Sequence, residues 1–238
     1  LMDKNRLPKT SRPKRYEIKL DIDLNNFSYE GVENIELEVL ENTNSIFLNS
    51  LGIEVTSASL EVDKKEVNIL SVEYLEDEER ICLSSENEIV KGSYILHIKF
   101  KSDITDDLKG FYKSKYLTKE NEEKWIATTQ FEPTSARNAF PCWDEPEYKA
   151  VFSITIIADK KLLRVSNEKV LEEKETKDNK VETTFVDSMK MSTYLVAFVV
   201  GELEATEIGS AGSTEVRIVH RPGFSHQTSY AGTAGIKL

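Results

Sequence analysis

The sequence is poor in the residues that build metal and redox sites. It has only three histidines and two cysteines in 238 residues, namely His97, His220, His226, Cys82 and Cys142. No HExxH spacing, His-x-His pair or Cys-x-x-Cys pair occurs, so the spacing offers no recognisable zinc site. Patterns for a nucleophilic serine elbow, a phosphate-binding loop or a dinucleotide-binding loop are also missing. We therefore expect no catalytic residue and no metal ligand in this chain.

Basic charge and long apolar runs are scarce as well. The chain has 31 Lys plus Arg against 42 Asp plus Glu, a net charge of -11, which argues against nucleic acid as a partner. No apolar run approaches the roughly 18 residues that span a bilayer, and the polar start lacks a signal-peptide stretch, so we expect no membrane partner. Two cysteines in a chain of this size are typical of buried reduced thiols. Together these features predict a cytoplasmic protein.

What the sequence does contain is β-strand periodicity. Apolar and polar side chains alternate from Tyr16 to Leu24, and again over 35–39 and 94–100, as in half-buried strands. Shorter candidate strands, separated by turn residues, lie at 53–62, 67–70, 79–84, 125–130, 151–159, 162–167, 181–186 and 215–220. This pattern predicts a mainly β fold, an antiparallel β-sandwich.

Three further features bear on organisation. No repeat or linker interrupts the chain, which favours a single domain over residues 1–238. The run 195–200, LVAFVV, has no polar face, and this predicts a strand in the middle of a sheet covered on both sides. The last residues, 224–238, are typical of the start of a helix. His97 falls on the strand face opposite the apolar residues, where we expect it to meet solvent.

The stretch TTQFEPTSARNAFPCWDEPEYKAVF, Thr128 to Phe152, departs from the alternation. It resembles the amino-terminal domain of the aminopeptidase N family of zinc metallo-aminopeptidases, the gluzincin aminopeptidases. Further pieces resemble the same domain in family order, at residues 6–24, 27–39, 108–116 and 191–204. The resemblance thus extends over almost the whole chain.

That resemblance implies a saddle-like set of β-sheets lying against a thermolysin-like catalytic domain that follows in the polypeptide. The catalytic domain would contribute the GxMEN and HExxH motifs and the zinc, neither motif being found in this chain. The implied partners are this catalytic domain and peptide substrates with a free amino terminus. The chain is then expected to end near the start of the catalytic domain and to be inactive alone.

By position, Gln130 and Glu132 match the two polar residues that the family's amino-terminal domain contributes to the active site. The resemblance implies that Glu132 binds the substrate α-ammonium, together with a Glu of GxMEN, and that Gln130 lines the pocket for the first side chain. A carboxylate suits this role because it forms charge-assisted hydrogen bonds with an amine. Pro133 ends the ladder just beyond them, where a side chain can project into a cleft.

The rest of the stretch has a structural interpretation. We expect Arg137 to anchor the loop through Asp144 or Glu145, since a guanidinium fork can hold carboxylates and carbonyls together. Cys142 and Trp143 are interpreted as buried packing. Two alternatives to an aminopeptidase remain: a stand-alone β-sandwich binding or scaffolding module without catalysis, and a homologue that has lost its metal ligands.

Overall fold

The computed structural model describes residues 6–63, 65–68 and 71–237, and within them seventeen strands and one α-helix. The first nine strands are β1 (Ser11–Asp23), β2 (Ser28–Val39), β3 (Thr43–Asn49), β4 (Glu54–Val62), β5 (Lys65–Asn68), β6 (Ser71–Leu75), β7 (Arg80–Ile89), β8 (Gly92–Asp103) and β9 (Gly110–Leu117). The remaining elements are β10 (Glu123–Gln130), β11 (Val151–Asp159), β12 (Leu163–Ser166), β13 (Val170–Glu175), β14 (Lys180–Phe185), β15 (Phe198–Gly201), β16 (Glu204–Ala211), β17 (Thr214–His220) and α1 (Thr228–Lys237).

These strands form four sheets. The largest has the order β13-β14-β11-β1-β2-β8-β4-β5, and the second has the order β12-β15-β10-β9. Strands β3, β7 and β6 form a third sheet, and β16 pairs with β17 in a fourth. The mainly β prediction is confirmed. One pairing departs from the antiparallel prediction, because β1 runs parallel to β11 with Arg15 opposite Val151.

The alternation predicted for the long strands is confirmed by burial. Tyr16, Ile18, Leu20 and Ile22 of β1 are each at most 1% exposed. The apolar set of β8 is buried in the same way, whereas His97 points to the opposite face. His97 is only half-exposed there, because it bridges Asn34 Oδ1 at 2.7 Å and Glu61 Oε2 at 3.0 Å. The candidate strand at 67–70 lies partly outside the described residues.

The prediction for the run 195–200 was half right. Strand β15 does lie inside its sheet, between β12 and β10. The run starts at the last residue of a 3-10 turn, Thr193–Leu195, and burial alternates along it, since Val196, Phe198 and Val200 are buried whereas Leu195, at 48% exposure, and Ala197 are exposed. Coverage on both sides is therefore wrong for these residues, since hydrophobicity alone does not distinguish a covered face from an open one.

The predicted C-terminal helix is confirmed. Helix α1 packs on the β16–β17 hairpin, where Gly232 lies so close to Ile208 that a Cβ would fall 2.5 Å from its side chain. Among the described residues, no helix has the length and apolar character needed to cross a membrane. The division of the chain into one domain stays a prediction.

The close approach of Gly31 to Phe100 generates a stability prediction. A Cβ at Gly31 on β2 would lie 2.2 Å from Cζ of the buried Phe100 ring, so Gly31→Ala overpacks the core. We expect the free energy of unfolding to fall by about 1–3 kcal/mol, measured by urea denaturation. Gly92→Ala is the matched control, since its Cβ would have 3.6 Å to Tyr94. An equal loss in both variants would contradict the packing explanation.

Candidate functional site

Gln130 and Glu132 lie at the end of a strand that is bonded on both sides. Strand β10 pairs with β9 up to Gln130 opposite Gly110, and with β15 along its middle. Phe131 follows and is buried, at 2% exposure. Gln130 and Glu132 flank it and are both exposed. The peptide bond between Glu132 and Pro133 is cis. The two predicted site residues are thus neighbours on the surface, separated by one buried side chain.

Phe131 fixes this strand end in an aromatic cluster. Its ring centroid lies 5.9 Å from that of Phe140 and 6.1 Å from that of Phe198, and Phe198 lies 4.9 Å from Phe111. The carbonyl of Phe131 also accepts a hydrogen bond from the Ser135 amide at 2.7 Å. Edge-to-face aromatic pairs add to the stability gained by burial. The aromatic cluster and this hydrogen bond therefore fix the backbone between Gln130 and Glu132.

The segment 131–146, here called the site loop, is anchored by a buried ion pair. Arg137 Nε donates to Asp144 Oδ2 at 3.0 Å, and the Arg137 amide donates to the same oxygen at 3.2 Å. Arg137 also donates to the Asp144 carbonyl at 3.2 Å and to Glu79 Oε2 at 2.9 Å. Both Arg137 and Asp144 are buried. The structure thus confirms Asp144 as the partner that anchors Arg137.

Glu145 has a different role from the one considered for it. Its Oε1 accepts from the Leu7 amide at 2.6 Å, and its Oε2 from Arg6 at 3.2 Å. Glu145 therefore joins Arg6 and Leu7 to the site loop rather than binding Arg137.

Burial dominates the electrostatics of the loop. It raises the pKa of Asp144 above its usual value, while the charge and hydrogen bonds of Arg137 act in the opposite direction. Burial likewise raises the pKa of the Cys142 thiol well above its ordinary value, with Asp144 adding to the effect. A thiol with a raised pKa is a poor nucleophile. Cys142 and the fully buried Trp143 are packing residues, as the sequence indicated.

Three residues that sequence reasoning missed complete the anchoring. Asn49 exchanges backbone hydrogen bonds with Cys142 at 2.8 and 3.0 Å, and its Oδ1 accepts from the Asp144 amide at 3.1 Å. The Tyr16 hydroxyl accepts from the Trp143 amide at 3.2 Å, and the Thr193 hydroxyl donates to the Trp143 carbonyl at 2.9 Å. No local pattern signals these contacts, because each joins residues at least 50 positions apart.

The histidines do not converge on a site. His220 contacts Thr206 at 2.8 Å, His226 stacks on Phe224 at 6.0 Å, and His97 lies on the large sheet. Within the part of the chain that the structure describes, no group of three or more His, Cys, Asp or Glu side chains could hold a metal ion.

The fold and the site together define a class of protein. It is a mainly β protein that exposes an amide, Gln130, at the end of β10 and a carboxylate, Glu132, in the anchored site loop, and its described residues include no candidate group of metal ligands.

Comparisons with known proteins identify this class. A family model described as the Peptidase M1 N-terminal domain matches residues 12–195. Aminopeptidase 2 of Candida albicans is 37% identical over 94% of the chain and 24% of its own length. Puromycin-sensitive aminopeptidase of Caenorhabditis elegans is 35% identical over 98% of the chain and 25% of its own length. Human endoplasmic reticulum aminopeptidase 1 is 32% identical over 99% of the chain and 26% of its own length.

The chain belongs to the Peptidase M1 N-terminal domain family. It spans about a quarter of the length of these aminopeptidase relatives.

The buried ion pair generates a second stability prediction. Arg137→Leu leaves the Asp144 carboxylate buried without its cation, and losing one partner of a buried pair costs about 3–5 kcal/mol. We expect a fall of that size in the free energy of unfolding, measured by denaturant titration at pH 7. Arg12→Leu is the control, since its pair with Glu38 is solvent-exposed and worth about 1 kcal/mol at most. Equal effects of the two variants would show that Arg137 is an ordinary surface cation.

Proposed function

We propose that this chain is the substrate-facing part of a zinc-dependent aminopeptidase that removes amino-terminal residues from peptides. Glu132 binds the free α-ammonium of the substrate, and Gln130 lines the pocket for the first side chain. The observation that carries the proposal is the exposed Glu132 carboxylate on a strand end that Phe131 and the site loop hold in place. Membership of a family whose relatives are named aminopeptidases favours this function over a stand-alone binding module.

The physical basis is positioning. An aminopeptidase must bind a charged amine at a fixed distance from the bond that it cleaves, because the hydrolysed bond is always the first one. A carboxylate on a rigid support supplies this distance through charge-assisted hydrogen bonds, and correct placement of the reacting groups lowers the barrier. Glu132 has such a support, because the adjacent Phe131 is buried in the aromatic cluster.

The hydrolytic chemistry itself is assigned to a zinc ion bound by a catalytic domain outside this chain. The described residues do not fit a zinc site, since they bring no set of three suitable side chains together. The role of this chain is therefore to bind and orient the substrate.

We also propose a cytoplasmic location. The two cysteines, Cys82 and Cys142, are free and buried, and unpaired thiols are the rule in reducing compartments.

The central kinetic prediction concerns Glu132. In an active aminopeptidase polypeptide that contains this chain, Glu132→Ala removes the charged partner of the substrate amine. Hydrogen bonds to charged groups contribute about 1.5–3 kcal/mol, so we expect kcat/KM to fall roughly ten- to a hundredfold. The preference for free over amino-blocked peptides should shrink, and zinc content should stay constant.

Two variants provide the comparison. Glu122→Ala changes an exposed acid next to the other end of β10 and should leave kcat/KM unchanged. Gln130→Ala should alter the preference among first side chains more than it alters amine recognition. Near-normal kinetics of Glu132→Ala on free amino-terminal substrates would show that Glu132 is an ordinary surface acid.

A further prediction concerns the isolated 238-residue chain. After dialysis against metal-free buffer it should retain well below one zinc per chain, and it should not cleave aminoacyl substrates. Elemental analysis and a chromogenic aminoacyl substrate measure the two properties. Stoichiometric zinc, or turnover abolished by a point mutation in this chain, would overturn the assignment of the chemistry to a separate catalytic domain.

A further inference from the structure

Glu33 is a carboxylic acid buried in the core, on the same face of β2 as Tyr29 and Ile35. Its side chain is 0% exposed, and neither carboxyl oxygen has a hydrogen-bond partner among the described residues. Its register partners are Ile18 on β1 and Ile98 on β8, both apolar. Because a charge in such surroundings is strongly disfavoured, burial raises the pKa of Glu33 well above its ordinary value.

The same core contains two hydrogen-bond donors for which the described residues offer no acceptor. The Tyr16 hydroxyl accepts from the Trp143 amide, which leaves its own proton to donate. The indole Nε1 of Trp143 is buried and has no partner within the described part of the chain. Buried donors and acceptors are nearly always paired in native proteins. The Tyr16 hydroxyl and the Trp143 indole can each donate a hydrogen bond, and the Glu33 carboxyl can accept one, so the three groups are chemically complementary.

Strand register and electrostatics both indicate that Glu33 lies near Tyr16. The pKa of Tyr16 is raised by burial first, and then by Cys142 and Glu33. The pKa of Cys142 is raised by burial first, and then by Asp144 and Glu33. The strand register gives the geometry, because Ile18 lies opposite Glu33 and Tyr16 opposite Ile35 on the buried face. Glu33 is thus diagonally across from Tyr16, whose hydroxyl bonds the Trp143 amide. The titratable groups near Glu33 are Tyr16 from β1 and Cys142 from the site loop.

We propose that Glu33 is a positioning residue for the site loop, and that its carboxyl is the shared acceptor for the Tyr16 hydroxyl and the Trp143 indole. Neither carboxyl oxygen has a partner within hydrogen-bond distance among the described residues, so the contact runs through one buried water that the carboxyl, the hydroxyl and the indole share. By ordering Tyr16 and Trp143, Glu33 positions the part of the site loop around Trp143. The same loop is also anchored by the ion pair of Arg137 and Asp144. The sequence motifs of the loop give no hint of this residue, which comes from a distant strand.

Packing connects this junction to the exposed site. The Tyr16 ring lies 6.4 Å from Phe140, and Phe140 lies 5.9 Å from Phe131. Phe131 in turn separates Gln130 from Glu132. A shift of Tyr16 would therefore be transmitted through two ring contacts to the strand end. This consequence for substrate binding rests on the proposed function of Glu132, whereas the positioning of the loop does not.

The first test uses nuclear magnetic resonance on the full 238-residue chain. The chain has two tryptophans, so the indole N–H of Trp143 can be assigned with Trp143→Phe, and Trp125 serves as an internal control. Glu33→Leu removes the acceptor, and we expect the Trp143 indole signal to shift and its hydrogen exchange to accelerate about tenfold or more. Glu33→Gln keeps a carbonyl acceptor and should restore near-normal behaviour. Trp125 should not change.

The second test uses the pH dependence of stability. The folded state holds the Glu33 proton above the pH at which the unfolded chain releases it, about 4.3. The folded state then binds more protons, so stability falls as pH rises above that value, by up to about tenfold in the unfolding constant per pH unit. Glu33→Gln should lose this component of the slope. Glu30→Gln, an exposed acid on the same strand, should retain it.

Each outcome decides the proposal. An unchanged Trp143 indole in Glu33→Leu, or an equal disturbance in Glu33→Gln and Glu33→Leu, would overturn it. If Glu33→Leu does not fold, Glu33→Gln decides the proposal. A wild-type pH dependence of stability in Glu33→Gln overturns it. Loss of that pH dependence, together with an unchanged Trp143 indole signal, supports it. A disturbed Trp143 in Glu33→Leu combined with normal kinetics of Glu132→Ala would leave the positioning role intact and refute the proposed function instead.

Discussion

The buried pair of Arg137 and Asp144 is the interaction on which the geometry of the site depends. Two opposite charges have left water here, and that is tolerable only because each is paired and hydrogen-bonded. The Arg137 side chain and the Arg137 amide both donate to the Asp144 carboxylate. The Asp144 amide in turn donates to Asn49 Oδ1, which fixes the backbone at Asp144. These contacts hold a loop that is largely without regular secondary structure.

The anchoring of the loop matters for the proposed function, because a carboxylate recognises an amine only within hydrogen-bond distance. Glu132 lies outside the sheet, yet its neighbour Phe131 is packed in the aromatic cluster and its strand is bonded to β9 and β15. Under the proposed function, these contacts fix the position of the Glu132 backbone relative to the substrate amine. Under the same proposal, this chain binds and orients the substrate.

Local patterns in the sequence were enough to predict the mainly β fold, since the alternation of Tyr16 to Ile22 reports directly on which face is buried. They also limited the partner of Arg137 to Asp144 or Glu145, and the structure selects Asp144. They could not predict the parallel pairing of β1 with β11 or the contact of Asn49 with the site loop, because both join segments far apart in the chain. The exposure of Leu195 was not predicted, because the hydrophobicity of a side chain does not indicate whether another element packs against it. Glu132 itself was reached through family resemblance, since an exposed acid has no distinguishing local pattern among 42 acidic residues.

The most direct measurement is a crystal structure of an aminopeptidase polypeptide containing this chain, with a bound peptide analogue that retains its free α-amine. If Glu132 recognises the amine, its carboxylate should lie about 2.7–3.2 Å from the amine nitrogen, with the backbone of the site loop in the arrangement described above. An amine bound more than about 4 Å from Glu132, with other groups as its partners, would contradict the central claim.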